Sequence, residues 1–559
     1  MKKNFLFFFC LVFTLQLFSQ EKLASDYLSR KGEVYFSFTV NDKSILNTLT
    51  NIISLDAVNG NSVTAYANKN EFAEFLKYKI DYNVLPHPGD ALLAEMEKGS
   101  GNRATWDKYP TIAEYNTMMY DFEKNYPSLC KIYEIGTSVK GNKILFAKIS
   151  KNLNVRENEP QFMFCSTIHG DEATGYVNTL RLIDHLLSNY GKNSRITNLI
   201  DNIEIWINPL ENPDGFVAGT RSNANNVDLN RNFKNPSGTP TLQKENKDFQ
   251  TFLNSKYFVL AGQFHGGIEA FMVPWAYKAT PLIPDDNWYV RTGRAWVDTA
   301  HIYAPSGYLT DGTNGVARCS ELYLANNTFA DYVNYYAHGR ATFMEISKTK
   351  SPAATTLPNF WNYNYRSILN FMETCLYGIR GLVTDSVTGV PIKALVTVVN
   401  HDADSSQVYS TPDVGNYHRM IAPGTYTLKF TSSCYTDRVI SNINVASYKS
   451  TTYQNVKMVC KPTCNCTTGI DNRNDNSSVL VFPNPFNSKT TISYTLSDAG
   501  NLNVTMYDMY GRIIEKINDS MLPAGNYEFT WNAEKHSKGI YFCMIRSNKG
   551  VVIKKITSK

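Results

Sequence analysis

Gln161-Phe-Met-Phe-Cys-Ser-Thr-Ile168 runs straight into His169-Gly-Asp-Glu172. The first part is an apolar run of strand length, the pattern of a strand covered on both faces in a parallel sheet. A chain leaving such a strand is held rigidly, so the imidazole and the carboxylate come to a fixed place. That donor pair suits Zn²⁺, which takes nitrogen and oxygen ligands and keeps a position open for water in catalytic sites. A third ligand is needed. Tyr257-Phe-Val-Leu-Ala-Gly-Gln-Phe264 is a second such run, and it ends on His265-Gly-Gly267. A His-x-x-Glu pair alone is also a common surface ion pair, so its neighbours must decide.

Around these two runs, residues 108–378 carry long alternating elements. Thr111-Ile-Ala-Glu114 is a capping box before a helix. Strands are predicted at 130–136, 144–150, 161–168, 202–208, 257–264 and 341–347, and helices at 173–189 and 360–377. This is a mixed-sheet α/β domain, with bounds set at 104–378. Upstream, residues 21–103 form a small α+β unit: strands at 33–40, 62–68 and 82–85, helices at 44–53 and 70–80, a βαβαβ order. A polar, Gly-containing linker covers 97–107. A small folded unit before a linker reads as a propeptide, with Lys98 or Arg103 as cleavage points, or as a permanent N-terminal domain.

Downstream the pattern changes to short strands punctuated by turns. Residues 379–459 and 477–559 are two all-β sandwich domains joined by a polar linker at 460–476. The fold class is therefore multidomain: an α/β mixed-sheet catalytic domain, a small α+β N-terminal unit and two C-terminal β-sandwiches.

The 559 residues exceed one domain, and 43% hydrophobic content is that of a globular protein. The net charge of +5 is small for this length and not gathered in a stripe, so nucleic acid is not an expected partner. Lys2 and Lys3 precede the apolar run Phe5–Phe18, too short to span a bilayer and read as a secretory signal peptide ending near Gln20. Of ten cysteines, Cys10 leaves with that signal. Export permits disulfides. Cys460, Cys464 and Cys466 read as a staple in the linker, with Cys434 near, or as a redox or zinc cluster, and Cys165 reads as a buried thiol.

Five ordered motifs carry a resemblance: His169-Gly-Asp-Glu172, Asn212-Pro-Asp-Gly215, Val227-Asp-Leu-Asn-Arg-Asn-Phe233, Phe264-His-Gly-Gly267 and Phe343-Met-Glu-Ile346. With them, residues 108–378 resemble the zinc carboxypeptidases of the funnelin (M14) type, and 379–459 resemble the transthyretin-like domain that follows the catalytic domain in one branch. Residues 477–559 resemble the C-terminal sorting domain of the type IX secretion system, through Pro483-Asn-Pro485, Tyr507-Asp-Met-Tyr-Gly-Arg512, Ala524-Gly-Asn-Tyr527 and a Lys-rich end.

The resemblance implies His169, Glu172 and His265 as Zn²⁺ ligands, with cobalt chemically possible at the same donors. It implies attack by a metal-activated water, with Glu345 as the general base. A glutamate inside the apolar strand Ala341–Ile346 needs such a reason, and burial should raise its pKa. Asn230 and Arg231 are implied for the substrate's terminal carboxylate, which suits the planar guanidinium. Arg221, nine residues before Asn230, is implied to stabilise the oxyanion, and Asp228 to orient His169. Asp331 anchors the spacing that maps the substrate-closing tyrosine onto Tyr323, although the glycines usual in that stretch are missing.

Two positions that carry an acid in relatives cleaving terminal Lys or Arg map to Ala276 and Ala330. The expectation is a preference for neutral or apolar terminal residues, unless Glu269, Asp285, Asp286 or Asp311, or the cations Arg318 or Arg340, reach the pocket. The implied partners are peptide or protein C-termini and the type IX secretion machinery, with outer-membrane attachment possible. The implied location is outside the cell or on its surface. A zinc amidase acting on cell-wall stem peptides and a catalytically silent peptide-binding relative are the alternatives.

Overall fold

The computed structural model describes residues 19–98, 105–462, 464, 479–496, 498–509, 511–547 and 550–559. The signal run with Cys10, the cleavage candidate Arg103, and most of the linker with Cys466 lie outside the described residues. Among the described residues no helix is long and apolar enough to cross a membrane. The chain divides into two compact units, Met1–Cys460 and Lys461–Lys559.

The first unit opens with a helix at 19–30 and a four-stranded antiparallel sheet: β1 (Glu33–Thr39), β2 (Ser54–Asn59), β3 (Ser62–Asn68) and β4 (Tyr82–Val84), in the order β2-β3-β1-β4. The expected βαβαβ order omits β2. Its sequence, Ser-Leu-Asp-Ala-Val-Asn, has little β-branched content, and the signal was the turn. Asn59 and Ser62 pair across Gly60-Asn61, and Gly60 has φ +61°. Such a two-residue hairpin loop favours glycine at positive φ. Phe36, Phe38, Leu55, Val63, Phe72 and Phe75 fill the core of this sheet.

Eight strands then build a single sheet: β5 (Cys130–Thr137), β6 (Lys143–Ile149), β7 (Gln161–Ser166), β8 (Glu204–Asn208), β9 (Phe258–His265), β10 (Glu269–Val273), β11 (Val316–Arg318) and β12 (Arg340–Ile346), in the order β11-β10-β12-β9-β7-β8-β6-β5. The central strands β8, β7, β9 and β12 run parallel; β5, β6 and the β10–β12 pair are antiparallel. All six residues of β7 are buried. Phe162 and Phe164 pack with the helices Thr174–Asn189 and Leu357–Glu373, while Met163 and Cys165 pack on the opposite side with Phe249 and Phe252. Alternation along the strand thus feeds two cores, which is why its sequence reads as an unbroken apolar run. All six strands read from the sequence are present. The short β10 and β11 were not expected, and neither was the helix Asp286–Tyr303.

Residues 378–458 form two small sheets around Ile379, Val396, Leu428, Phe430 and Ile443. A buried ionic cluster joins them to the α/β domain. The Asp285 carboxylate accepts from Arg340 Nη2 (2.7 Å), Arg419 Nη1 (2.9 Å) and His401 Nε2 (2.9 Å), and Arg419 Nη2 reaches Asp402 Oδ1 at 2.5 Å. Burial alone would raise the Asp285 pKa, but Arg419 and then Arg340 outweigh it and hold it well below its ordinary value. A carboxylate with a depressed folded-state pKa contributes stability above its unfolded pKa, about 3.9, and loses it as pH falls. Arg419→Ala leaves two buried carboxylates short of a partner. It should cost about 3–5 kcal/mol in urea unfolding at neutral pH, with a smaller penalty in acid. An equal penalty at both pH values would refute the ionic account.

Cys460 is disulfide-bonded, and Cys165 is fully buried. The second unit packs a sheet of Leu480–Phe482, Lys489–Leu496 and Gly525–Asn532 with one of Ile513–Leu522, Gly500–Asp508, Gly539–Ser547 and Gly550–Ser558. Its core holds Ile492, Val504, Met506, Trp531 and Cys543. The Lys-rich end is the last strand, paired along its length with Gly539–Ser547, and not a loose tail.

Candidate metal centre and peptide-binding cleft

The cleft opens where parallel strands end at their carboxyl side, the usual crevice of an open α/β sheet. β7 delivers His169 and Glu172, β9 ends on His265, and Glu345 lies beside His265 in β12. Gly170 sits against the Asn-Pro-Asp-Gly turn so closely that a Cβ there would stand 2.1 Å from the Gly215 carbonyl carbon, so no larger residue fits between the His169 loop and that turn. Asn212 ties that turn together, donating from Nδ2 to Ile168 O (3.1 Å) and Arg221 O (3.3 Å) and accepting from Gly215 N (2.9 Å).

One ligand atom each from His169, Glu172 and His265 lies within 4.8 Å of the others, and all three residues are buried. His169 Nδ1 is 3.0 Å and His265 Nδ1 2.9 Å from the same Glu172 oxygen, Oε2. Each imidazole is oriented from behind: His169 Nε2 donates to Asp228 Oδ1 (3.1 Å), and His265 Nε2 to Gln263 Oε1 (2.9 Å). Those bonds put the proton on Nε2 and leave the Nδ1 lone pairs pointing at one place beside a carboxylate, a donor set that fits zinc. Gln263 is itself held by Glu211, whose carboxyl burial pushes up to about 8.

Glu345 has a buried oxygen, Oε2, without a hydrogen-bond partner. Burial, and then the charge of Glu172, hold its pKa well above the usual carboxylate range, the direction expected of a glutamate in an apolar strand. Arg221 lies across the cleft floor. Its Nη1 is 3.0 Å from Glu172 Oε1 and its Nε 3.1 Å from Asp228 Oδ2. Asn230 Oδ1 accepts from Phe329 N (2.9 Å), which turns its amide nitrogen into the available donor. Arg231 Nη2 is 3.4 Å from the Tyr323 hydroxyl. The structure thus brings His169, Glu172, Arg221, Asn230, Arg231, His265, Tyr323 and Glu345 to one cavity.

It does not bring Ala276 and Ala330 there. Both are buried, and Ala276 N is bound to Asp331 Oδ1 (3.0 Å). The cavity's apolar wall is made instead by Ile268, Met272, Cys319, Leu322 and Phe343. The charged residues considered for the pocket are engaged elsewhere: Asp285 and Arg340 in the interdomain cluster, Asp286 with Arg318 (2.8 Å), and Asp311 with Glu269 N (2.8 Å).

Sequence reasoning also missed Lys350. Its ammonium is buried, 2.6 Å from Glu172 Oε1 and 2.7 Å from Asp56 Oδ1. Nothing in Lys348-Thr-Lys350 distinguishes it from other surface-type lysines. Asp56 belongs to β2, and with its neighbours it fills the cleft. Tyr323 OH donates to Leu55 O (2.7 Å), Ser54 Oγ donates to Asp228 Oδ2 (2.6 Å), and Tyr66 OH to Asp171 Oδ2 (2.6 Å). Glu33 accepts from Arg221 N (2.6 Å) and Ser222 N (3.0 Å). The space left beside the metal-ligand set is about 90 Å³.

The sequence profile described as zinc carboxypeptidase matches residues 115–367, and that of a secretion system C-terminal sorting domain matches 480–559. Carboxypeptidase M of Mus musculus is 30% identical over 338 residues, which cover 55% of this chain and 74% of the mouse protein. The chain belongs to the zinc carboxypeptidase family and carries a type IX secretion sorting domain. Carboxypeptidase SOL1 of Arabidopsis thaliana is 30% identical over 330 residues, 56% of this chain; the match spans 65% of the plant protein's length. Carboxypeptidase A of Helicoverpa armigera shares the fold at 18% identity, with a TM-score of 0.50, over 62% of this chain and 98% of its own.

Proposed function

We propose that this chain is an exported zinc metallocarboxypeptidase that removes residues one at a time from peptide and protein C-termini. The observation that carries the reading is the shared cleft: a two-imidazole, one-carboxylate donor set, a glutamate with an unpartnered oxygen, and the Asn230, Arg231 and Tyr323 donors a terminal carboxylate needs. Zinc held by His169, Glu172 and His265 would supply Lewis-acid polarisation of the scissile carbonyl and of water. Glu345 takes the proton from the attacking water and returns it to the leaving amine. Arg221 offers a fixed cation to the oxygen on which charge develops. Asn230 and Arg231 grip the terminal carboxylate, and Tyr323 closes over it. Asp228 positions His169; Asp228→Asn should weaken zinc affinity about 10–100-fold in a competitive chelator titration. Unchanged affinity would remove that role.

The apolar wall of Ile268, Met272, Leu322 and Phe343 supports a preference for neutral or apolar terminal residues. After cleavage in the 97–107 linker, the full chain should release Leu or Phe from blocked dipeptides at least about tenfold faster than Lys or Arg, and a chelator should abolish release. Lys or Arg released tens of times faster would overturn the pocket reading. Zinc binding without release from any dipeptide would favour a cell-wall stem-peptide substrate or a silent binder. The N-terminal unit acts as an inhibitory propeptide: β2 occupies the cleft with the Leu55 carbonyl on Tyr323 and Asp56 on Lys350. The signal peptide and the sorting domain together support export through type IX machinery to the surface or the medium.

A further inference from the structure

A second cavity, of about 260 Å³, lies on the seam between the α/β domain and the β-sandwich that follows it. Arg156 and Lys256 reach it from the α/β domain, Lys393 and His418 from the sandwich, and among the described residues no aspartate or glutamate lines it. Two buried donors on its wall have no acceptor: Arg156 Nε and His418 Nδ1. His418 is 7% exposed, and its Nε2 stands 3.3 Å from Asn416 Nδ2, an amide donor, which leaves the ring proton on Nδ1. The Asn158 carbonyl, which accepts from Asn416 Nδ2 at 3.1 Å, has a second lone pair and acts on the His418 ring as a weak backbone partner.

Buried N–H groups are nearly always paired, so two donors without a well-formed bond, both on residues lining one cavity, leave room for an acceptor from outside the chain. The electrostatics agree. Burial, and then Arg380 and Arg156, hold the His418 imidazole well below its ordinary pKa, the mark of a positive site. Burial also lowers Lys256, whose ammonium lies over the rings of Trp206 (5.0 Å) and Phe252 (5.7 Å). The carboxylates of Glu204 and Asp413 act on Lys256 in the opposite direction, toward the charged form. Tyr336 and Tyr409 also line it, the latter with the Lys393 ammonium 5.3 Å from its ring centre.

We propose that this interdomain cavity binds a tetrahedral oxyanion, sulfate or phosphate, free or as an ester on a ligand of about one sugar ring. Arg156 Nε and His418 Nδ1 donate to its oxygens, with Lys256 and Lys393 balancing its charge. The cavity is separate from the metal centre and shares none of its lining residues. A bound anion would join the two domains and stabilise their seam, because a ligand of the folded state alone raises stability by mass action.

The test is calorimetric titration of the full chain with sodium sulfate, sodium phosphate, glucose 6-sulfate, glucose 6-phosphate and glucose. One equivalent of at least one anion should bind and raise the melting temperature, and glucose should not bind. A tighter sugar ester than inorganic ion identifies an esterified ligand, and equal affinity identifies the free anion. Arg156→Gln and Lys256→Gln should each weaken binding by about tenfold, as loss of one charged donor does. Lys256→Gln removes no hydrogen bond recorded in the fold, so it serves where Arg156→Gln fails to fold. Peptide release by the linker-cleaved form should be unchanged in both. No saturable binding of any anion up to about 10 mM, glucose binding as tightly as its esters, or full affinity in Lys256→Gln would each overturn the proposal.

Discussion

Glu345→Gln should lower kcat of the linker-cleaved protein by about 10²–10⁴-fold while zinc stoichiometry stays at one, because the substitution keeps the shape and removes the proton acceptor. The neighbouring donor set should not notice the change: Glu345 makes no recorded hydrogen bond to His169, Glu172 or His265, and one of its oxygens has no partner at all. The pH profile separates proton transfer from mere packing. A base works only when ionised, so wild-type kcat/KM should fall as pH drops through its pKa, and that acid limb should vanish in the residual activity of Glu345→Gln. Glu345→Gln with wild-type kcat would remove the base assignment. Lost zinc would make the residue structural.

Cutting the 97–107 linker and releasing the N-terminal unit should raise peptide release by about 10²-fold or more, the equivalent of a plugged state favoured by about 2.7 kcal/mol. The plug uses the site's own chemistry. The Leu55 carbonyl meets Tyr323 and Arg231, the Asp56 carboxylate is salt-bridged to Lys350, and Glu33 caps the amides of Arg221 and Ser222. Asp56→Ala leaves Lys350 on Glu172 alone and should make the uncut chain leak, with several-fold more activity than the uncut wild type and little change after cutting. Equal rates for cut and uncut wild type would mean that β2 does not block the substrate.

The candidate metal donors were legible because each sits at or just after a strand end whose sequence is unusual. An unbroken apolar run says that both faces of β7 and β9 are covered, and the residues after it are held by the sheet. Glu345 was legible as a charge inside an apolar strand. The pocket wall was not. Met272 is on β10 and Cys319 follows β11, short strands with no periodicity to mark them, and their place beside β12 comes only from sheet order. Ala276 and Ala330 were drawn from spacing, and spacing carries no information about which way a loop or the first turn of a helix points its residues. Lys350 escaped notice because a lysine reads as solvent-exposed until its surroundings are known.

The N-terminal unit divides the same way. Its aromatic core and its separateness are local properties, visible in alternating Phe residues and a polar linker. That β2 exists, and that it lies in the cleft, depends on Asp56 meeting Lys350 and Ser54 meeting Asp228, pairs separated by 294 and 174 residues. Sequence alone determined what depends on near neighbours: the strand runs, the candidate ligands at their ends and the chemistry such donors permit. Only the tertiary structure decided what depends on distant pairs, namely the pocket wall, the plug, the Asp285 cluster and the seam cavity. Local patterning reports which face of an element is buried, whereas the partner that covers it is chosen by packing across the whole chain.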